Sequence, residues 1–326
     1  MKAVVYREYG PPSVLALEEI PKPTPRDDQV LIKIHAATVG TWDCEFRAFA
    51  FPLWFWLPLR IAMGIRAPRW PVLGQELAGE IEAVGKNVER FEKGDQVFAS
   101  TGLRLGAHAE YTCMSADGTI AIKPTNMSYE EAAGIPTGGD NALHFLRKAN
   151  VQPRESVLVN GAAGNIGVVA VQLAKHYGAE VTAVDSGEKL EILREIGADH
   201  VIDYTKEDFT AAGKKYDVIF DLVHKSAYSR GIRSLAPNGR YVLANPRFFQ
   251  MVRAVWTSKT SDKKVLFEFA GSKPQDLVAL KELAEAGAIR AVIDQRFPLE
   301  RAAEAHAYVD SGRRKGTVVL TVVSDG

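Results

Sequence analysis

The sequence predicts an α/β protein in which a doubly wound parallel sheet is joined to a discontinuous, partly open β-barrel. Short apolar runs alternate with helical periodicity from residue 156 onward, which is typical of a parallel sheet covered by helices on both faces. Residues 1–124 instead carry β-branched runs bounded by glycine, proline and aspartate. The tail returns to strand-like runs, so we expect it to complete the first domain.

The length and composition limit what the chain does. A chain of 326 residues exceeds one ordinary core, so we expect a domain formed by residues 1–124 with 288–326 and a second one formed by 125–287. Lys+Arg and Asp+Glu both number 40, and without a basic tract this balance argues against a nucleic-acid partner. The start of the chain lacks a signal-peptide pattern, and only Cys44 and Cys113 occur, which together favour a reducing cytoplasm.

Several runs in the first third are typical of strands. Val4–Tyr6 and Val30–Ile34 are β-branched, and Glu80–Val84 alternates between apolar and polar residues. The pair Gly94 and Asp95 predicts a turn before the next strand. Because glycines cluster where such strands would turn, we interpret the region as a barrel.

The following region changes to alternating helices and strands. Ser128, with Glu131 three residues later, predicts a helix start closed by a capping box. Helical periodicity covers residues 168–177 and 189–196. The strands predicted here are 157–160, 181–185, 200–202, 217–221, 240–244 and 265–269. In the tail, the predictions are strands over 292–297 and 317–323, and a helix over 302–309 after Pro298.

One apolar segment, Phe49–Met63, stands apart from this pattern. It carries no charge before Arg60 and contains Pro52 and Pro58, and it is shorter than the roughly 20 residues of a membrane span. We interpret it as a lid, a pocket wall or a subunit contact, while a peripheral membrane contact and a place in the core stay open. The side chains that would suit a membrane surface are Trp54, Trp56, Arg60 and Arg66.

A glycine-rich turn between the strand 157–160 and the following helix is the strongest local signal. Gly161 suits a tight turn, Gly164 lets the backbone approach a pyrophosphate, and Gly167 lets the helix pack closely on the strand. The N–H groups at the helix start would then face the phosphate charge. The residues predicted to hold a dinucleotide are Gly161, Ala162, Ala163, Gly164, Asn165, Ile166 and Gly167.

An acidic residue stands at the expected distance beyond this turn. Asp185 ends the next predicted strand, where a carboxylate accepts hydrogen bonds from the adenosine ribose and repels a 2′-phosphate. By itself Asp185 favours NAD over NADP. Lys189, one helical turn further on, would offset that repulsion, although a solvated helix face explains it equally well.

The order and spacing of several stretches resemble the zinc-free quinone oxidoreductase branch, which includes zeta-crystallin, of the medium-chain dehydrogenase/reductase superfamily. The matching stretches are residues 35–43, 72–79, 84–85, 94–97, 161–167 and 195–204. The resemblance covers essentially the whole chain. It implies a GroES-like catalytic domain completed by the tail, a Rossmann domain, and an active site in the cleft between them.

The departures from zinc-dependent relatives predict that no zinc is bound. Those relatives carry Cys and His where this chain has Gly40 and Gln75, neither of which is a usual zinc ligand. Two cysteines also cannot build the four-cysteine structural zinc lobe. Glu76 remains in the Gly-x-Glu pattern, where we expect a structural hydrogen-bond or ion-pair partner and no metal ligand.

The resemblance also assigns residues around the cofactor. Of an Asn-Pro-x-Asp motif beside the nicotinamide, only Asp43 is retained, and Asn141 replaces the usual threonine. Glu45 stands near the place of a tyrosine in some relatives. Tyr204 and Lys189 match residues that contact the adenosine 2′-phosphate. These two residues favour NADPH, whereas Asp185 favours NADH, so we predict that both cofactors are used.

These observations predict a reductase that transfers hydride from NAD(P)H to a small apolar acceptor. The acceptor is a quinone or an α,β-unsaturated carbonyl, and the absence of an obvious general acid favours the quinone. The residues predicted to lie at the reaction are Asp43, Glu45, Gln75 and Asn141, with Asp43 equally suited to holding its loop. The alternatives are a zinc-free alcohol dehydrogenase and a nucleotide-binding structural protein. The family suggests a homodimer, for which the run 265–269 could pair at a sheet edge.

Overall fold

The computed structural model describes residues 1–211, 213–223, 227–244, 246, 248–268, 270–271 and 273–322, without the side chains of residues 53–55. By packing, the chain divides into unit 1, residues 1–137 with 272–326, and unit 2, residues 138–271. The domain limits expected from the sequence, after residues 124 and 287, stay a prediction.

The strands follow the predicted pattern of a barrel and then a parallel sheet. They are β1 (Lys2–Tyr6), β2 (Leu15–Glu19), β3 (Gln29–Val39), β4 (Glu76–Val84), β5 (Gln96–Ser100), β6 (Tyr111–Ser115), β7 (Ile120–Ile122), β8 (Ser156–Asn160), β9 (Glu180–Asp185), β10 (His200–Asp203), β11 (Tyr216–Asp221), β12 (Leu235–Leu243), β13 (Lys264–Leu266), β14 (Ile293–Pro298) and β15 (Thr317–Thr321).

The helices lie between these strands and vary in length. They are α1 (Thr41–Ala48), α2 (Leu53–Met63), α3 (Tyr129–Ala133), α4 (Pro136–Ala149), α5 (Asn165–His176), α6 (Leu190–Glu195), α7 (Tyr228–Arg233), α8 (Phe248–Thr260), α9 (Pro274–Glu285) and α10 (Ala302–Asp310). The predicted capping box at the start of α3 is confirmed, because the Ser128 side chain accepts the Glu131 N–H and Glu131 reciprocates.

Unit 1 is organised around the long strand β3. Its sheet runs β14-β15-β3-β4-β5-β7, and β6 also pairs with β3. β15 is antiparallel to β3, with Val318 opposite Val39, so the predicted return of the tail to the first domain is confirmed. The inward-facing residues of β3, β4, β5 and β15 form one buried cluster that includes Ile32, Leu77 and Leu320.

Unit 2 contains the predicted doubly wound parallel sheet. Its strand order is β10-β9-β8-β11-β12-β13, and every pairing is parallel. The order reverses direction beside β8, where the glycine-rich turn begins. β12 starts earlier than predicted, at Leu235, and β13 ends earlier, at Leu266. Of the predicted runs 265–269 and 317–323, Phe269 and Val323 lie outside the described residues.

The apolar segment forms a helix that the sequence pattern did not predict. α2 begins directly after Pro52 and continues through Pro58. Its inner face contributes Leu59 and Met63 to a buried cluster with residues such as Phe46. Among the helices of the described residues, none is both long and apolar enough to cross a membrane.

A buried arginine ties α1 to α10. The Arg47 guanidinium donates to the Asp310 carboxylate at 2.7 Å, to Nδ1 of His306 at 3.1 Å and to the carbonyl of Gly10 at 3.0 Å. Because Nδ1 accepts this bond, His306 is neutral, and its burial lowers its pKa well below the usual range. These bonds fix the orientation of α1, which carries Asp43 and Glu45.

Candidate active site

The glycine-rich turn of unit 2 has a geometry that requires two of its three glycines. Gly161 has a φ of 87°, in the left-handed region that favours glycine. The N–H groups of Gly161 and Ala162 both donate to the carbonyl of Val184, at 3.0 and 3.1 Å, and thereby join the turn to β9. A Cβ at Gly167 would lie 2.5 Å from the carbonyl oxygens of Gly161 and Ala162. Only glycine therefore lets α5 approach the turn this closely.

The third glycine has no such requirement within the protein. Gly164 is the N-cap of α5 with a φ of −78°, and a Cβ there would lie 3.5 Å from the nearest carbonyl oxygen, an ordinary contact. Having no side chain, it cannot cap the first-turn N–H groups of α5, a helix of 12 residues. Uncapped N–H groups at a helix start suit an anion, and glycine lets it approach closely, so the site fits a pyrophosphate.

Asp185 is built into the turn. It is 7% exposed, and its carboxylate accepts the N–H groups of Ala163 and Ser186, both at 2.9 Å. The Lys189 ammonium lies 3.3 Å from the same carboxylate. The Ala163 N–H, which the sequence assigned to the cofactor, is therefore already satisfied. The geometry gives Asp185 a positioning role, while contact with the ribose stays a prediction.

Tyr204 and Lys189 both contact Asp185. The Tyr204 N–H donates to the carbonyl of Asp185 at 3.2 Å, and its side chain is 62% exposed. Lys206 is a further basic residue here that was not predicted from the sequence, and its ammonium lies 3.5 Å from the Asp203 carboxylate. The signal was its position two residues after Tyr204. The ends of β9 and β10 thus carry two ammonium groups and an exposed aromatic ring, and ammonium groups suit a phosphate.

Asn141 lies on α4, one turn after Gly138. A Cβ at Gly138 would be 2.7 Å from the carbonyl oxygen of Asn165, so this part of α4 packs directly against the start of α5. Asn141 is half-buried there. The structure therefore brings the helix that carries Asn141 to the glycine-rich turn, and a contact of its amide with the cofactor stays a prediction.

In unit 1, Asp43 holds two loops together. It is 2% exposed, and its carboxylate accepts the N–H of Gly40 at 2.8 Å and that of Gly74 at 3.2 Å. Burial raises its pKa to about 7, although both hydrogen bonds oppose this shift. Of the two roles considered for Asp43, this geometry is that of a loop-holding residue.

Glu45 lies on the same helix as Asp43 and also has a raised pKa. It is half-buried on α1, and burial raises its pKa to about 7. Its carboxyl forms no hydrogen bond to any residue that the structure describes, so its proton is not committed elsewhere. A carboxyl group with such a pKa is matched to proton transfer at neutral pH.

Gln75 and Glu76 stand at the start of β4. The Gln75 amide lies 3.4 Å from the carbonyl of Gly102, a weak contact that leaves room for another partner. The Glu76 carboxylate accepts the Thr38 hydroxyl at 2.5 Å and the Thr137 N–H at 2.7 Å, as expected of a structural partner. Within the described ranges, no group of three or more His, Cys, Asp or Glu residues is arranged to hold a metal ion.

Arg314 is a further residue of this region that sequence reasoning missed. Its guanidinium donates to the Thr41 hydroxyl at 2.8 Å, and its charge interacts with those of Asp43 and Glu76. The pairing of β15 with β3 explains why Arg314 lies near Thr41, because Val318 lies opposite Val39 in an antiparallel pair. Residues shortly before β15 must then lie near residues shortly after β3.

The comparisons with known proteins agree with this architecture. Residues 26–124 match the family model described as the alcohol dehydrogenase GroES-like domain. Residues 196–320 match the model described as zinc-binding dehydrogenase.

Two curated relatives and one solved structure cover nearly the whole chain. The NADPH-dependent alkenal/one oxidoreductase of Arabidopsis thaliana is 33% identical over 98% of this chain and 79% of its own length. The human quinone oxidoreductase is 32% identical over 96% of this chain and 94% of its own. The quinone oxidoreductase structure from Coxiella burnetii superposes with a TM-score of 0.87 at 30% identity, over 99% of both chains. The chain belongs to the medium-chain dehydrogenase/reductase superfamily, in its quinone oxidoreductase branch.

Proposed function

We propose that the protein is an NADPH-dependent reductase that transfers hydride to a quinone or an α,β-unsaturated carbonyl. The observation that carries this proposal is Gly164, a glycine that the fold itself does not require, at the uncapped start of α5. The names of the Arabidopsis and human relatives support the acceptor classes. Bound NADPH would supply the hydride, and the protein would supply its orientation.

The residues of unit 2 would bind and orient the cofactor. The first-turn N–H groups of α5, at Asn165, Ile166 and Gly167, would receive the pyrophosphate. Lys189 and Tyr204 would bind the adenosine 2′-phosphate, assisted by Lys206. Because Lys189 already offsets the charge of Asp185, we propose that NADPH is preferred and that NADH is also accepted.

The residues of unit 1 would serve the acceptor. Reduction of an enone leaves an enolate that needs a proton, and the Glu45 carboxyl would donate it, since its pKa of about 7 keeps much of it protonated at neutral pH. A quinone takes its proton from water, so its reduction would depend less on Glu45. The Gln75 amide would orient the acceptor oxygen, and Asp43 would keep the loop in place.

We propose that this chemistry needs no zinc. A zinc ion would require ligands at positions 40 and 75, and glycine and glutamine there offer no thiolate or imidazole. Cys44, the cysteine nearest to Gly40, points elsewhere, because its sulfur lies 3.5 Å from Nδ1 of the buried His306.

The decisive experiment follows the absorbance of NADPH, and separately NADH, with a panel of quinones and enones, with and without a chelator. We expect chelator-insensitive oxidation that is faster with NADPH. A Glu45→Gln variant should lose enone reduction more than quinone reduction. If neither cofactor is oxidised although both bind, the reductase proposal is wrong and the structural role is favoured.

We further propose a homodimer formed through unit 2. β13 pairs with β12 and ends the order of the described sheet, so its outer edge is open to pairing with a second copy. α8 packs on β13 and exposes Phe249 and Trp256 beside that edge. Light scattering on the purified protein tests this, and a Phe249→Glu, Trp256→Glu variant should be monomeric.

A further inference from the structure

We propose that residues 56–70 and 102–105 of unit 1, here named the arginine–tryptophan face, bind the surface of an anionic lipid bilayer. The sequence left a membrane contact open without favouring it. The exposure and charge of the described side chains now argue for it, independently of the reductase activity.

The outer side of α2 and the turn after it carry a stripe of exposed apolar side chains. Leu57, Ile61 and Ile65 are 60%, 55% and 65% exposed, and they follow one another at intervals of four residues. The opposite side of α2 is also apolar, since Leu59 and Met63 are buried. α2 therefore exposes large aliphatic groups that its packing in the core does not explain, and such patches on a protein surface are usually binding sites.

Tryptophan and arginine side chains surround this stripe and hold the turn after α2 in place. Trp56 and Trp70, each more than a third exposed, flank it, and tryptophan favours the headgroup level of a bilayer. The Arg60 guanidinium lies 3.8 Å from the ring centroid of Tyr9 and donates to the carbonyl of Ile65 at 2.9 Å. This clamp fixes the turn after α2, so the stripe is presented in an ordered form.

The segments that form this face carry arginines and no acidic residue. No acidic residue occurs between Glu45 and Glu76, while Arg66 and Arg69 are exposed beside the stripe. The turn 102–105 packs Leu105 into the same buried cluster as α2 and exposes Leu103 and Arg104. No acidic residue occurs between Asp95 and Glu110 either. Both segments thus present cations and apolar groups without any carboxylate.

This combination fits a lipid surface better than a second copy of the chain. A twofold contact through this face would place the same patch against itself and bring Arg66 and Arg69 near their own equivalents. Anionic headgroups instead supply a negative charge for each guanidinium, and the acyl boundary accepts the aliphatic side chains. Because α2 has only 11 residues, the face would lie in the membrane surface without crossing it.

Co-sedimentation with vesicles tests the proposal on the whole protein. We expect binding to phosphatidylcholine vesicles that contain about one third phosphatidylglycerol, weaker binding to pure phosphatidylcholine, and loss of binding in high salt. An Arg66→Gln, Arg69→Gln variant should bind about 25-fold more weakly, at about fivefold for each arginine. Ile65→Ser should weaken binding to both kinds of vesicle.

A matched control variant removes the same number of positive charges elsewhere on unit 1. Lys86→Gln, Lys93→Gln alters two exposed cations outside the face and should bind vesicles like the unaltered protein. Melting temperature and NADPH binding should be unchanged in all variants, which separates lost docking from lost folding. The proposal is overturned if the anionic vesicles do not retain the protein, or if the Arg66, Arg69 variant binds them equally well. If instead that variant changes the mass of the protein in light scattering and no vesicle binds, a second copy covers the face.

Discussion

Two single alanine substitutions in the glycine-rich turn should affect stability differently, although both should weaken NADPH binding. Gly167→Ala places a Cβ 2.5 Å from two backbone carbonyl oxygens, whereas real Cβ contacts essentially never fall below 3.0 Å, so α5 must move by at least 0.5 Å. Such overpacking costs about 1–3 kcal/mol, and the better helix propensity of alanine returns at most about 1 kcal/mol. We expect the free energy of unfolding to fall by about 1–2 kcal/mol, and NADPH affinity to fall with it.

Gly164→Ala should leave the fold intact and still weaken the binding of the cofactor. Its Cβ would meet only an ordinary contact at 3.5 Å, and its φ of −78° suits alanine, so the stability change should stay within about 1 kcal/mol. If the pyrophosphate lies against this residue, the methyl group displaces it from the N–H groups of α5. Losing one hydrogen bond to a charged group costs about 1.5–3 kcal/mol, which raises the Kd of NADPH about 10- to 150-fold.

Urea denaturation measures the first quantity, and titration of NADPH fluorescence measures the second. Each variant serves as the control of the other, since one changes both quantities and the other only the affinity. A Gly164→Ala protein that binds NADPH within about threefold of the unaltered chain would refute the placement of the pyrophosphate at this residue, whatever happens to Gly167→Ala.

Three further outcomes follow from the contacts described. Lys189→Ala should raise the KM for NADPH about tenfold or more and change that for NADH little, and equal changes for both cofactors in steady-state kinetics would contradict the 2′-phosphate role. Asp43 has a folded pKa of about 7, above its unfolded value, so the stability it contributes is present below about pH 4 and is lost as the pH rises through 7. Urea denaturation should show a fall of about 2–4 kcal/mol over that range, and a smaller fall in Asp43→Asn; parallel curves for the two proteins would contradict the assignment. Arg47→Leu leaves Asp310 and His306 without their buried donor and should lower the free energy of unfolding by about 2–3 kcal/mol. Arg301→Leu, which breaks an exposed pair, should change it little, and equal losses in thermal or urea melts would count against the buried cluster.

The parallel sheet could be predicted almost strand by strand because its signals are local. Apolar runs such as 218–220 are buried on both faces of the sheet, so their composition alone indicates a strand. The glycine-rich turn could be predicted equally well, since Gly161 and Gly167 meet separate steric demands and Gly164 stands at the N-cap of α5. The extent of β12 was underestimated because Pro237, Asn238 and Gly239 interrupt its apolar pattern, and the strand continues through them with a shift in register.

The contacts between distant segments could not be predicted in this way. Arg314 reaches Thr41 only because β15 is antiparallel to β3 in one particular register, which no local pattern specifies. The raised pKa of Glu45 arises from burial on α1, a helix that the sequence reading treated as a loop motif. Asp185 was assigned to the ribose from its position at the strand end. Its bond to Ala163 depends on the exact path of the turn.

The pairing of β15 with β3 sets an order of events during synthesis. β3 is made early, but the strand that covers one part of its edge follows more than 270 residues later in the chain. Residues 138–271 are contiguous and can fold while the ribosome is still translating the rest, because domains generally fold as units during synthesis. Until β15 emerges, the open edge of β3 next to Val39 is a site for unwanted pairing with other nascent chains. Assembly of the barrel is therefore a late, long-range step, and the open edge of β3 would need protection by chaperones until it is complete.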